Sequence, residues 1–241
     1  MSKQGNKTGI LYLIPTSLGE EDIDHIWPAG HRQLVDSLDI FIVENVRTAR
    51  RFLRRAGYTK NFDGVIFNVL DKRTADHDLL SFLQPNLSGC HTGLLSEAGS
   101  PCIADPGQKV VALAHKHHIR VTPLTGPSSI MLALMASGMN GQHFQFHGYL
   151  PIEKSDRLKK IREIEDESMR TGVTQIFMET PYRNNALVED LTRHCKPGTQ
   201  ICIAADLTRE SEYILTQSAA QWKQSGLPQL HKRPAIFLLW A

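Results

Sequence analysis

No run of apolar residues in this chain approaches the ~20 that a membrane-spanning helix needs, so no membrane association is expected. The opening residues, MSKQGNKTGILYLIP, hold no apolar core of signal-peptide length, and the expected location is cytoplasmic. Cysteine is scarce. Cys90, Cys102, Cys195 and Cys202 share no C-x-x-C spacing and read as small core hydrophobes or free thiols in a reducing compartment. His194-Cys195 opens like a cysteine-phosphatase loop, but that loop needs an arginine six residues on, and Ile201 stands there. His115, His117 and His118 have no second ligand cluster and close a helical pattern, where cationic groups suit the helix dipole; no metal is expected. Charge of one sign is not in excess either: 27 Lys and Arg against 25 Asp and Glu leave +2, which does not announce a nucleic-acid binder. G-x-G-x-x-G does not follow the first strand-like run, and P-loop, G-x-S-x-G and H-E-x-x-H patterns are missing. Their absence argues against a kinase, an ATPase, a serine hydrolase or a zinc protease.

What is present is ordinary globular composition, 41% apolar and 22% charged over 241 residues, enough for one large domain or two small ones. Residues 9–15, 39–44, 64–69, 92–97 and 120–124 are short runs rich in Val, Ile, Leu and Phe. Helical patterns lie between several of them. Val46, Ala49, Leu53 and Ala56 mark one helix, with Gly57 as its terminator, and Asp105-Pro106 predicts the N-cap and first residue of another. This alternation predicts a mainly parallel sheet with helices on both faces. After LTGPSS (124–129) the texture changes to strand-like HFQFHGYLP, QIFMET, TQICIAAD, EYILTQSA and PAIFLLWA with helices between the earlier ones. The fold class is therefore α/β, as an N-terminal domain over 1–123 and a C-terminal domain with a mixed sheet over 124–241.

Three strand-to-loop junctions stand out: IPTSLGE (14–20), SEAGSPCIADPG (96–107) and LTGPSSI (124–130). In a parallel sheet all three lie at the carboxyl ends of strands, the edge along which ligands bind. Small residues there let a ligand reach backbone N–H and C=O groups. Any one of them alone reads rather as a tight structural turn, since Gly and Pro mark turns everywhere.

Together, and with FHGYLP, FMETPYR and DLTRE following in order, they resemble the tetrapyrrole-methylase-like class of S-adenosylmethionine-dependent methyltransferases. Within that class the chain is most similar to the bacterial small-subunit rRNA cytidine 2′-O-methyltransferases, from about Gly9 onward. The resemblance implies two α/β domains, with S-adenosylmethionine folded into the cleft between them, and a homodimer. It implies that Pro15, Glu97, Ala98, Gly99, Ser100 and Ile103 line the cofactor from the first domain. Ser128 and Ser129 would contribute from the linking helix, and Met178 and Pro234 from the second domain. The acceptor implied is a ribose 2′-hydroxyl of ribosomal RNA, offered free or on the small ribosomal subunit. A tetrapyrrole or other small molecule is the alternative acceptor, and cofactor binding without catalysis a further one. Such an enzyme needs no metal or protein nucleophile; alignment of methyl and acceptor contributes on the order of 7–11 kcal/mol, and a general base assists a hydroxyl acceptor.

On the acceptor side Glu44 and Arg47 remain of that family's Glu-Asp-Thr-Arg, while Asn45 and Val46 replace its middle residues. Glu44, Arg47, Tyr182 and Arg183 are the candidate catalytic residues, with Glu179 close by; Tyr182 stands where the family has histidine, and Ala205 where it has arginine. Each reads alternatively as a fold-stabilising ion pair or cap. The residues FNVLDKR replace a His-Glu-His-Asn-like segment, and the family's small C-terminal helical module does not follow. Finally, Arg47, Arg50, Arg51, Arg54 and Arg55 fall within nine residues. They read as a solvated helix face or as a phosphate-tracking patch, with no aromatic cluster beside them except Phe52, which fits the core.

Overall fold

Short runs of Val, Ile, Leu and Phe can be buried on both faces only where helices cover both sides of a sheet. The computed structural model, which describes residues 8–19, 23, 26–71 and 73–241, contains that arrangement. Strands β1 (Ile10–Ile14), β2 (Ile40–Val43), β3 (Ile66–Val69), β4 (Thr92–Leu95) and β5 (Arg120–Pro123) pair in the order β3-β2-β4-β1-β5, every pair parallel. Helices α1 (Ala29–Ser37), α2 (Val46–Arg55), α3 (Asp76–Leu87) and α4 (Gln108–Lys116) connect them. Successive strand residues point to opposite faces, and the core divides accordingly. Tyr12, Phe41 and Val43 pack with Val35 of α1 and with Ala49, Phe52 and Leu53 of α2. Leu11, Ile42 and Leu94 pack with Leu79 and Leu83 of α3 and with Val110 and Ala114 of α4.

This division creates the position of the site. The chain leaves β2 through α2 on one face and moves outward to β3. It leaves the neighbouring strand β4 through α4 on the other face and moves the opposite way, to β5. Loops that diverge from adjacent parallel strands leave a crevice at their carboxyl ends, the usual ligand position in an open α/β sheet.

The start of α4 differs from the expectation. Asp105 is not its N-cap and Pro106 is not its first residue; Gly107 (φ 128°) is the cap and the helix begins at Gln108. Cys102 and Ala104 adopt left-handed backbone (φ 68° and 62°), so residues 101–107 run through successive turns before the helix can start. A left-handed non-glycine residue costs on the order of 1–2 kcal/mol, and such strain gathers at ligand-binding loops.

The second sheet orders its strands β6-β7-β10-β8-β9, using β6 (Phe144–Tyr149), β7 (Thr174–Met178), β8 (Gln200–Ala205), β9 (Tyr213–Ser218) and β10 (Ala235–Trp240). Only β6–β7 is parallel; the other pairs are antiparallel, so the sheet is mixed as expected. Helix α5 (Ser129–Ser137) follows Ser128. Helices α6 (Lys154–Thr171), α7 (Asn184–His194) and α8 (Ala219–Ser225) share one core with Phe177, Ile203 and Phe237. The short α8 carries no strong periodicity. It is held by a reciprocal cap between Ser218 and Gln221 and by Trp222, whose indole donates to the Ile201 carbonyl at 2.9 Å. The chain forms two compact units, Met1–Pro127 and Ser128–Ala241.

Candidate active site

The three loops singled out in the sequence are knotted together at the carboxyl edge of the first sheet. Thr16 and Gly99 exchange backbone hydrogen bonds, Thr16 N to Gly99 O at 2.9 Å and Gly99 N to Thr16 O at 3.2 Å. The Ser96 hydroxyl donates to Gly99 O at 2.6 Å, and that of Ser100 to Pro127 O at 3.2 Å. The Trp27 indole donates to Pro15 O at 3.0 Å. Glycine is required twice. Gly99 has φ 75°, and a Cβ there would meet Leu18 at 3.0 Å. At Gly126 a Cβ would lie 2.2 Å from the Pro15 ring.

Pro15 and Gly99 are buried in this knot, Ser100 is half-buried, and Glu97, Ala98 and Ile103 lie exposed in the same loop. One detail departs from the expectation. The backbone groups of Gly99 are taken by Thr16, so its smallness serves the joining of two loops rather than direct backbone contact with a ligand.

Glu44 follows β2 and is half-buried. Asn45 caps α2: its Oδ1 accepts from Arg47 N at 2.8 Å and Thr48 N at 3.3 Å. A cap needs an acceptor oxygen, not a charge, so Asn serves as well as Asp here. Thr48 Oγ1 donates to Glu97 Oε1 at 2.6 Å. This bond links the β2 end to the β4 end across the crevice. Thr48, Thr16 and Ser96 do not stand out in the sequence; a hydroxyl beside a cap or before glycine is too common to single out. Arg47 extends from the first turn of α2, exposed, with no side-chain hydrogen bond or ion pair among the described residues.

Asp105 lies half-buried on the same edge. Burial first, and the charge of Glu97 second, push its carboxyl up to about 6. It borders a cavity of about 330 Å³ with Leu70, Asp71, Thr74 and the start of α4. Because the folded value exceeds the ordinary 3.8, the folded state keeps a proton that the unfolded chain gives up between those values. Raising the pH through that window therefore lowers stability, and the cost is complete above about 6. Asp105→Asn is expected to gain stability over wild type as pH rises from 4 to 7, by on the order of 1 kcal/mol after allowance for solvent screening. Thermal melts across that range check this; a difference that does not change with pH contradicts it.

In the second unit Met178 ends β7, half-buried, and Glu179 follows it, buried. Glu179 Oε1 accepts from Thr180 N and from Arg183 Nη2, both at 2.6 Å, so this pair is an ion pair across the start of α7. Glu179 Oε2, Arg183 Nε and Asn184 Oδ1 are buried with no hydrogen-bond partner among the described residues. Beside β10, Arg233 donates to Asp206 Oδ2 at 2.6 Å, and Pro234, itself exposed, accepts from Asp206 N at 2.9 Å. Tyr182 is exposed and meets His231 edge-on. Ser128 precedes α5 without a side-chain bond to it, and Ser129 is the first helical residue; both are half-buried. Ala205 is fully buried at the end of β8, where an arginine could not be placed without opening the core.

Residues 33–222 match the family described as Tetrapyrrole (Corrin/Porphyrin) Methylases. The chain belongs to that family. As a tetrapyrrole methylase-family protein it is a methyltransferase, as the resemblance of its loops implies. Among its relatives, the Ribosomal RNA small subunit methyltransferase I of Vibrio cholerae serotype O1 is 30% identical over 217 residues, covering 87% of this chain and 68% of that protein. The protein of the same name from Buchnera aphidicola subsp. Acyrthosiphon pisum is 29% identical, covering 88% and 71%. The two-sheet architecture is shared with methyltransferases of known structure. The methyltransferase CobJ superimposes with a TM-score of 0.62 at 15% identity, covering 97% of this chain and 94% of that one. The uroporphyrin-III C-methyltransferase of Thermus thermophilus, complexed with S-adenosylhomocysteine, gives 0.55 at 14%, covering 96% and 97%.

Proposed function

We propose that this methyltransferase acts on small-subunit ribosomal RNA and transfers its methyl group to a ribose 2′-hydroxyl. The observation that carries the reading is the pairing of relatives named for that RNA with a first-unit site that places two carboxylates, Glu44 and Glu97, after adjacent strands. The methyl donor is S-adenosylmethionine. The residues fit it. The knotted loops form a rigid small-residue wall, and Glu97 offers Thr48 one oxygen, leaving the other for a ribose hydroxyl or an ammonium. Pro15, Ala98, Gly99, Ser100 and Ile103 belong to that proposed wall, and Ser128, Ser129, Met178 and Pro234 are the second unit's proposed contributors.

When bound, the cofactor supplies an electrophilic methyl on a sulfonium, so the protein has only to orient, exclude water and manage one proton. Glu44 accepts the proton that the acceptor hydroxyl loses. Arg47, exposed on the rim, holds an acceptor phosphate. Arg183, fixed by Glu179, positions the acceptor side in the second unit, with Tyr182 exposed for stacking. Purified protein incubated with labelled S-adenosylmethionine and undermethylated small ribosomal subunits should yield one 2′-O-methylnucleoside by mass spectrometry. Label that enters a tetrapyrrole and not RNA overturns the reading in favour of a small-molecule acceptor, and label in neither favours a binding protein without catalysis.

We also infer a homodimer. Met131 and Met135 of α5 are exposed, Met135 at 76%. Light scattering at micromolar concentration should return twice the mass of the chain; the mass of one chain contradicts it.

A further inference from the structure

Helix α2 carries five of the chain's arginines and no acid, in a protein whose whole excess of positive charge is two. All five side chains are exposed, while Ala49, Phe52 and Leu53 take the inward face. Beside it lies an aromatic cluster, contrary to the expectation from sequence: Tyr58 and Phe62 stack at 5.5 Å, and Phe67 of β3 meets Phe62 edge-on at 5.8 Å. The guanidinium of Arg54 lies 4.0 Å from the centre of Phe62, and that of Arg50 lies 5.3 Å from Phe62 and 5.2 Å from Phe67. Arg54 also donates to Tyr58 O. Arg47, Arg50 and Arg51 have no acidic partner among the described residues.

Guanidinium groups laid on rings lose little freedom when they bind, and their donor edges remain available for the bidentate contact that phosphate takes. The helix begins at the crevice, beside Glu44, and runs away from it toward the edge strand β3. From Arg47 to Arg54 it spans about 10 Å, a length that covers about three phosphates of one strand of a duplex. We propose that this arginine-on-aromatic face of α2, with the 58–67 segment behind it, is the track that holds the RNA backbone and leads it to the crevice at Glu44. The proposal rests on RNA being the substrate.

The test uses the full-length protein and a fluorescent small-subunit rRNA hairpin, with anisotropy measured from 50 to 300 mM salt. The variant is Arg50→Gln, Arg51→Gln and Arg54→Gln together, with Arg51→Glu alone as a second variant that disturbs no ring contact. Binding of S-adenosylhomocysteine confirms that each variant is folded. The triple variant should bind RNA at least tenfold more weakly at 150 mM salt. Its log–log salt slope should be shallower by about 0.7–0.9 for each phosphate that is no longer neutralised. Methylation of subunits should show a raised KM with an unchanged kcat. If wild type binds RNA and both variants match its affinity and slope, the track is overturned while the RNA reading stands. If wild type binds S-adenosylhomocysteine but neither the hairpin nor subunits, or binds anionic vesicles instead, both fall.

Discussion

Gly99→Val is expected to abolish measurable S-adenosylhomocysteine binding. Wild type should bind in the micromolar range, about −8 kcal/mol. A branched side chain is a poor tenant at φ 75°, and its Cβ would press on Leu18 at 3.0 Å and on Pro127 O at 3.4 Å. Relief requires Gly99 to leave its bridge with Thr16, which releases two backbone hydrogen bonds and the acceptor of Ser96. Strain of about 1–3 kcal/mol is then joined by the loss of a wall the cofactor needs, and affinity should fall at least 100-fold, about 2.7 kcal/mol. Gly99→Ala should lose far less, because the Leu18 methyl can swing aside. Calorimetry decides: a Gly99→Val protein that is folded by circular dichroism and binds within threefold of wild type would refute the role given to this loop.

Glu44→Gln should cost on the order of 10²–10⁴ in kcat, the usual contribution of a positioned base, with cofactor affinity within threefold of wild type. The amide keeps the size and most of the packing of the half-buried side chain but cannot take a proton. Thr48→Val makes a useful contrast. It removes the hydroxyl that holds Glu97 at 2.6 Å and should weaken cofactor binding more than it slows turnover. A Glu44→Gln enzyme with full kcat would transfer the base role elsewhere.

The strands of the first sheet were legible because nearly every one is a run of apolar residues with no competing period. The second sheet was legible as mixed because two of its runs, β8 and β9, sit too close together for a crossover helix. The loops were legible for a related reason: backbone packed against backbone tolerates little beyond Gly, Ser, Ala and Pro. The start of α4 was not, because Asp-Pro is a good helix opening by local preference, and only the left-handed Cys102 and Ala104 delay it. The aromatic bed under the arginines was invisible because Tyr58, Phe62 and Phe67 belong to a loop, a single short turn and an edge strand, with no shared period. Asn45 looked like a lost carboxylate and is a helix cap. Thr48 belongs to the site through a partner 49 residues away, a relation that no local pattern carries.

The strand order of the first unit also constrains how the chain reaches this state. β1 lies between β4 and β5, pairing Leu11 with Thr92 and with Val121. During synthesis it is therefore an apolar strand without neighbours until about eighty further residues have emerged, and it stays half-paired for about thirty more. At ~5–20 residues per second that is a wait of several seconds, with Leu11, Tyr12 and Ile14 open to chaperones or to other nascent chains. In the second unit β6 with β7, and β8 with β9, pair from neighbouring sequence, and β10 joins the two pairs only after Ala235–Trp240 has emerged. The knot of Thr16 and Gly99 cannot close before β4 docks. The ability to bind a ligand is thus acquired late, no earlier than the step that gives β1 its first neighbour.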